Sequence, residues 1–253
     1  MTTKNEIYSF QARDGMQIFG DYAENSENQK KKLMIILPGL TGYPQQFVFM
    51  SLRDNLVKKG YDVFIANLYS SEEKNGKALR SLLEINMKRH IEDFEDVVEH
   101  FKAKYEAIYA LGHSLSGRTL LLAQSQTLRK QILLDPAGNY DNPKAQERLD
   151  GFYKSLKGTD YKYVDWGDGD FHLCGKTPVE LIETPFSIFE KAVKNLKVPT
   201  LFLIAGGENI AAGYKEIIQS NAAYEVVKEA THCFTEIGVA DKAFSKIFDF
   251  LSK

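Results

Sequence analysis

The sequence predicts an α/β protein with a mostly parallel central sheet and helices on both faces. Two observations carry this prediction. Short apolar runs of buried-strand length alternate with stretches whose apolar residues recur at helical spacing, and this alternation holds along most of the chain. With 253 residues, 43% hydrophobic and 26% charged, the composition is that of an ordinary globular protein. We therefore expect one domain over residues 1–253.

The predicted elements begin with a β-hairpin, because two strand-like stretches flank a turn at Asp14-Gly15. The first helix should end at Gly60, a residue suited to the position just after a helix. Further strands are expected at KLMIILPG, YDVFIANLY, AIYALGHS, KQILLDPAG, VPTLFLIAGG and YEVVKEATH. Helices are expected at QQFVFMSLRDNLVKKG, SLLEINMKRHIEDFEDVVEHFKAKY, SGRTLLLAQSQ, GYKEIIQSNA and VADKAFSKIFDFLSK.

The alternation breaks after the sixth predicted strand, over residues of about 139–197. This stretch is too long for a simple connection, so it should carry structure of its own, and we interpret it as a small lid inserted into the domain. It is rich in Tyr and Phe and contains the only tryptophan, Trp166. Such side chains suit either an acyl or aromatic group in a binding site or packing of the lid on the core, and packing is the simpler interpretation.

Charge and patterning exclude several classes of partner. A net charge of -2 provides no basic field for nucleic acid or an anionic membrane. The sequence contains no run of 18 apolar residues and no apolar segment near its start, so we expect a cytoplasmic protein without membrane attachment. Cys174 and Cys233 match no metal or redox spacing and are expected to be reduced. The oligomeric state is left open by the sequence.

A candidate nucleophile lies in IYALGHSLSGRTLLL, where a buried strand runs into a helix. The centre nearly spells G-x-S-x-G around Ser114, but Ser116 stands at the second glycine position and Gly117 follows one place later. At such a junction a tight turn lifts a serine above the sheet, provided that its neighbours are small. The alternative is a serine that only caps the helix N-terminus.

Two further motifs could complete an acyl-transfer site. The loop LPGLTG follows an early strand, and the backbone N–H groups of Leu40 and Leu115 are candidates for stabilising an oxyanion. His232 follows the last predicted strand in ATHCF and is the candidate general base. Each motif is weak alone, but together they occur in order and each follows a strand.

In this combination the chain resembles the α/β-hydrolase superfamily, particularly small bacterial esterases and thioesterases similar to feruloyl esterases and serine aminopeptidase-like hydrolases. GHSLSG resembles the nucleophile elbow, LPGLTG the oxyanion loop and ATHCF the histidine loop, and the likeness extends from about Ile7 to Phe250. The resemblance implies a serine hydrolase that cleaves a small-molecule ester or thioester through a Ser-His-acid triad and an acyl-enzyme. The implied chemistry needs no cofactor and no metal.

The acid of the triad is the irregular part. The family places an aspartate after the penultimate strand as G-x-x-D, and matching IAGGENIAAG to that pattern puts Asn209 at the acid position. An asparagine cannot stabilise an imidazolium by charge. A slip of one residue would present Glu208 instead, and Asp135 ends the strand after the nucleophile helix. We favour Glu208, then Asp135, then a true Asn209 variant.

Two other functions remain open at this point. The chain could be a non-catalytic α/β-hydrolase-fold protein that binds a ligand, which the irregular acid motif favours. It could instead hydrolyse an amide or a carbon–carbon bond, because a fold does not fix the chemistry that it supports.

Overall fold

The structure, a computed structural model, describes residues 3–26, 31–68, 83, 86–137, 147, 151, 153–165, 171–175, 180, 184–206 and 215–253. The strands are β1 (Thr3–Gln11), β2 (Gln17–Asn25), β3 (Lys32–Leu37), β4 (Asp62–Asn67), β5 (Ala107–His113), β6 (Leu128–Leu134), β7 (Lys154–Ser155), β8 (Lys162–Asp165), β9 (Phe171–Gly175), β10 (Thr200–Ala205) and β11 (Ala223–Val227). The helices are α1 (Phe47–Lys58), α2 (Met87–Lys102), α3 (Leu115–Ala123), α4 (Phe186–Lys194), α5 (Lys215–Gln219) and α6 (Val239–Ser252).

The central sheet has eight strands in the order β1-β2-β4-β3-β5-β6-β10-β11 within the described residues. β2 pairs antiparallel with both β1 and β4, and every other neighbouring pair in this sheet is parallel. This confirms the predicted class, an α/β protein with a mostly parallel central sheet. The carboxyl ends of β3, β5, β6, β10 and β11 meet at one edge, where loops from parallel strands commonly form a binding site.

Helices cover both faces of the sheet, as predicted. Successive residues of a strand point to opposite faces, so Ile35 packs in one apolar cluster and Ile36 in the other. The first cluster takes its helical members from α2, α3, α4 and α5, and the second takes them from α1 and α6. Covering both faces explains why the central strands are continuous apolar runs rather than alternating ones.

The elements begin and end close to the predicted positions. The first hairpin turns at Gly15, which has a φ of 88°, and α1 ends two residues before Gly60, which has a φ of 83°. The long second helix is predicted from residue 81 but begins at Met87. Its N-cap is Asn86, whose side chain accepts a hydrogen bond from the N–H of Arg89 at 2.8 Å. Residues 81, 82, 84 and 85 lie outside the described part of the chain.

Part of the segment predicted as an insertion forms its own antiparallel sheet, in the order β7-β8-β9. Helix α4, near the end of the same segment, packs into the main core through Phe189 and Val193. The interpretation of residues 139–197 as a lid stays a prediction, and Trp166 lies outside the described residues. Among the helices of the described ranges, none combines the length and apolar character that crossing a bilayer requires.

Candidate active site

Ser114 occupies a tight turn between β5 and α3. Its φ of 51° and ψ of −116° lie outside the regions that L-residues normally adopt, and such a conformation costs about 1–3 kcal/mol. Backbone hydrogen bonds hold it in place. The N–H of Ser114 donates to the carbonyl of Leu134 at 3.0 Å, and its carbonyl accepts from Arg118 at 3.2 Å and Ala137 at 2.8 Å. The turn is therefore fixed between β6 and the first turn of α3.

Two glycines make this turn possible. A Cβ on Gly112 would lie 2.4 Å from the carbonyl oxygen of Ser116, and one on Gly117 would lie 2.8 Å from the Cβ of Pro136. Both distances are far below van der Waals contact, so neither position has room for a side chain. In this chain the second glycine is thus needed at position 117, one place later than the common pentapeptide has it.

Ser116, at the position where the pentapeptide has glycine, is fully buried and its Oγ donates a hydrogen bond to the carbonyl of Pro38. Pro38 belongs to the loop after β3. The extra hydroxyl therefore connects the serine turn to the candidate oxyanion loop, and the departure from the pentapeptide has a structural purpose.

The candidate oxyanion loop passes directly beside the nucleophile. A Cβ on Gly39 would lie 3.1 Å from both the Cβ of Ser114 and the Nδ1 of His113. The amide nitrogen of Leu40 is bonded to the carbonyl carbon of Gly39, so it lies in the part of the loop that passes close to Ser114. Leu115 is the first residue of α3, and the N–H of a first helical residue has no acceptor within the helix. Both candidate N–H donors thus lie in the segments next to Ser114.

His232 reaches the nucleophile from the loop after β11. Its Nε2 lies 2.8 Å from the Oγ of Ser114, and its side chain is about half exposed, at 49%. The loop is closed by Glu236, whose Oε1 accepts a hydrogen bond from the N–H of Thr231 at 2.9 Å. Phe234 in the same loop is fully buried and anchors it to the core. The histidine is therefore presented to solvent from a tethered loop.

Asp135 binds the other side of the imidazole. Its Oδ2 lies 2.5 Å from the Nδ1 of His232, and its Oδ1 accepts from the N–H of Ala205 at 3.0 Å. A carboxylate only accepts hydrogen bonds, so Nδ1 carries the imidazole proton and Nε2 is left to accept the hydroxyl proton of Ser114. Asp135 is 4% exposed, and its N–H donates to the carbonyl of Leu203 at 2.8 Å.

Four residues chosen from the sequence meet at this edge of the sheet: Ser114 and His232 in direct hydrogen-bonding contact, with Leu40 and Leu115 in the adjoining turns. Their catalytic roles remain predictions that the geometry supports.

The acid favoured from the sequence, Glu208, lies outside the described residues, as does Asn209. The carboxylate that contacts the imidazole is that of Asp135, the second choice. Aligning the glycines with G-x-x-D gave Asn209, and the preference for Glu208 rested on a slip of one residue in that alignment. The strand order points to Asp135 more strongly, because β6 is the direct neighbour of β5 and the carboxyl end of β6 lies beside Ser114. From the sequence alone, without the strand order, Asp135 could equally well be the first residue of an Asp-Pro turn with no catalytic role.

From the sequence, His113, the residue before Ser114, had no claim to the role of base, and no other role was predicted for it. It is buried, and its Nε2 lies 2.8 Å from the backbone carbonyl oxygen of His232. Its position next to Ser114 was the only signal in the sequence.

As for metal binding, the described ranges hold no cluster of three or more His, Cys, Asp and Glu side chains suited to an ion.

No protein-family model matches the chain. Comparison with solved structures nevertheless shows the class to which this architecture belongs, the α/β-hydrolase fold with esterase neighbours. Est1E from Butyrivibrio proteoclasticus, in its complex with ferulic acid, has a TM-score of 0.71 and 18% identity and covers 97% of this chain and 100% of its own. Esterase Pf2001 from Pyrococcus furiosus has a TM-score of 0.67 and 18% identity, and the match covers 98% of this chain and 92% of the esterase chain. The esterase domain of a Rhodothermus marinus protein has a TM-score of 0.67 and 13% identity, and the match covers 98% of this chain and 97% of that domain's chain. The chain thus shares its fold over nearly its full length with these enzymes.

Proposed function

We propose that this protein is a serine hydrolase that cleaves a carboxylic ester or thioester of a small molecule through an acyl-enzyme. One observation carries the proposal: the continuous hydrogen-bonded series from Ser114 Oγ to His232 Nε2 and from His232 Nδ1 to Asp135 Oδ2. A nucleophile, a base and a group that orients the base are the parts that such chemistry requires.

In the acylation step, Ser114 Oγ attacks the carbonyl carbon while His232 Nε2 takes the hydroxyl proton. The negative charge that develops on the carbonyl oxygen is stabilised by the backbone N–H groups of Leu40 and Leu115. The tetrahedral intermediate then collapses, the bond to the leaving oxygen or sulfur breaks, and His232 returns the proton to that atom.

In the deacylation step, water replaces the departed alcohol or thiol. His232 takes a proton from the water, whose oxygen attacks the acyl carbon, and the same two N–H groups hold the second oxyanion. Collapse releases the carboxylic acid and returns the proton to Ser114. Side chains and backbone groups perform each transfer, so the proposed reaction calls for no cofactor.

We assign the acid of the triad to Asp135 rather than to Glu208. Both oxygens of its carboxylate have fixed partners, one on His232 and one on the N–H of Ala205. A carboxylate held in this way fixes the imidazole tautomer and stabilises the imidazolium that forms during catalysis. The irregular motif around Asn209 was the main support for a non-catalytic binding protein, and an acid supplied by Asp135 removes that support.

The neighbouring structures guide the choice of substrates. Est1E was solved with ferulic acid bound, and the other two neighbours are named as esterases. We therefore propose esters, including those of aromatic acids, as the first class to test. Acyl-CoAs and aminoacyl amides extend the panel to thioester and amide cleavage.

The proposal is tested by intact-mass labelling with a fluorophosphonate probe. Wild type should gain one adduct, and Ser114→Ala should gain none while remaining folded. The control is Ser220→Ala, which removes an exposed serine hydroxyl remote in sequence from the turn and should label as wild type does. A folded wild type that gains no adduct, and that cleaves no p-nitrophenyl ester, would overturn the hydrolase assignment.

A further inference from the structure

His113 lies where three of the segments that form the site meet. It is covalently joined to Ser114, its Nε2 is 2.8 Å from the carbonyl oxygen of His232, and its Nδ1 faces Gly39 of the candidate oxyanion loop. Its ring also packs against Phe49 in an edge-to-face arrangement, with the ring centroids 6.0 Å apart. A single buried side chain thus contacts both the candidate oxyanion loop and the loop that carries His232, and it is next to Ser114 in the chain.

The direction of the hydrogen bond from His113 is fixed by chemistry. A backbone carbonyl only accepts, so the Nε2 of His113 carries the proton and donates it to His232. The two rings lie side by side, with centroids 4.8 Å apart and an interplanar angle of 40°. The bond therefore holds the backbone of the base-bearing loop against the end of β5.

The charge state of His113 suits this place. Burial, and secondarily the neighbouring His232, lowers the pKa of His113 to about 3. It therefore stays neutral around pH 7, where an imidazolium at this distance would repel the positive charge that His232 acquires during catalysis. His113 thus supplies a donor without a competing charge.

From these contacts we propose that His113 is a positioning residue, which holds the backbone of His232 so that its imidazole stays within hydrogen-bonding reach of both Ser114 and Asp135. This inference rests on the proposed function. His232 is half exposed and lies in a surface loop, so its side chain has room to move. A displacement of the base by about 1 Å can cost about 100-fold in rate, since the transfer depends on alignment.

Three variants separate this role from simple packing. His113→Gln keeps an N–H donor at about the reach of Nε2, whereas His113→Leu fills the space without a donor. Phe49→Leu weakens the packing around the His113 ring but leaves the hydrogen bond in place. We expect His113→Leu to lower kcat by about 10- to 100-fold with little change in KM. We expect His113→Gln and Phe49→Leu to retain kcat within about threefold of wild type, the former because its donor can restore the alignment.

A second readout does not depend on turnover. The short contact between His232 Nδ1 and Asp135 should give a low-field proton NMR resonance that disappears in His232→Ala. We expect this resonance in wild type, His113→Gln and Phe49→Leu, and its broadening or loss in His113→Leu. The proposal is overturned if His113→Leu keeps both the resonance and kcat, or if all three variants lose kcat in proportion to their loss of stability. If folded wild type is not labelled by the fluorophosphonate and cleaves no p-nitrophenyl ester, the proposed function fails, while the NMR comparison still decides whether His113 positions His232.

Discussion

Both oxygens of the Asp135 carboxylate are engaged, one by the imidazole of His232 and one by the N–H of Ala205. Asp135 also adopts a φ of 42°, in the left-handed region that non-glycine residues seldom occupy. The residue is thus held by its backbone and by its side chain. We interpret this restraint as the means by which a residue at a strand end keeps the imidazole aligned.

Replacing that carboxylate should show whether Asp135 is the acid. In serine proteases, changing the triad aspartate to asparagine lowers kcat by about 10⁴-fold because the imidazole adopts the wrong tautomer. We expect Asp135→Asn to cause a loss of about that size, measured as kcat on a p-nitrophenyl ester. Glu208→Gln and Asn209→Ala are the matched controls and should retain activity. A large loss in Glu208→Gln, with Asp135→Asn active, would return the assignment to the loop after β10.

The residues that could be predicted from the sequence are those whose roles depend on local geometry. Ser114 and His232 each follow a strand, and a strand end is a position that periodicity can identify. The proposed acid could not be chosen in the same way, because Asp135 and Glu208 both follow strands. Only the pairing of β6 beside β5 distinguishes Asp135 as a neighbour of the nucleophile.

Within the elements, the junction of β5 and α3 leaves no room for a side chain at position 112. Gly112→Ala would place a Cβ 2.4 Å from the carbonyl oxygen of Ser116, so the turn would have to open. We expect a loss of unfolding free energy of about 3 kcal/mol or more, at the upper end of overpacking costs. Fluorophosphonate labelling of Ser114 should also be lost, because the turn determines where its Oγ points.

The control for this change is Gly60→Ala, just after α1. Gly60 has a positive φ of 83°, but a Cβ added there would meet no atom of the described residues within 4 Å. Its replacement should cost only the left-handed backbone penalty of about 1–2 kcal/mol and leave labelling intact. Urea unfolding with labelling of the folded fraction measures both effects. Equal stability losses in the two variants would contradict the steric explanation.

Element type could be predicted wherever the apolar spacing was sustained. The buried positions Phe94, Val97, Val98 and Phe101 of α2 recur at helical spacing, and the helix is found there. Its start was predicted too early because apolar residues before Asn86 continued the pattern, whereas the capping side chain decides the observed boundary. The short strands β7, β8 and β9 had no such signal, since a few residues pairing only with one another leave little periodicity.

Across the whole molecule, buried neutral histidines should make stability depend on pH. His90 is fully buried and its Nδ1 lies 2.6 Å from the Oγ of Thr119. Burial lowers the pKa of His90 to about 4 and, with the nearby His232, that of His113 to about 3. In the unfolded chain both groups titrate near their ordinary pKa of about 6.5.

The sign follows from this difference. Well above pH 6.5 these histidines are neutral in both the folded and the unfolded state, so they do not lower the free energy of unfolding. Below pH 6.5 they become protonated in the unfolded chain but stay neutral in the folded protein, which lowers the free energy of unfolding. Each histidine should therefore remove about 1.4 kcal/mol per pH unit as the pH falls, down to about pH 4 for His90. His90→Asn, which keeps a side-chain donor but cannot titrate, should make the unfolding free energy fall less steeply between pH 6 and pH 4.5. Parallel curves for the two proteins would contradict the assignment.

The proposed nucleophile and the proposed acid lie only 21 positions apart in the chain, which bears on whether this part of the site could be moved into another protein. Ser114 lies within a single β–α–β unit, β5-α3-β6, and Asp135 directly follows that unit, whereas the G-x-x-D pattern places the acid after the penultimate strand. With Asp135 as the proposed acid, the G-x-x-D position need not carry a carboxylate, and Asn209 at that position is compatible with the proposed chemistry. Residues 107–137 therefore contain both the proposed nucleophile and the proposed acid. If this segment were grafted into another protein of this fold, the host would still have to supply the histidine, the oxyanion loop that contains Leu40 here and the N–H that Ala205 donates to the carboxylate.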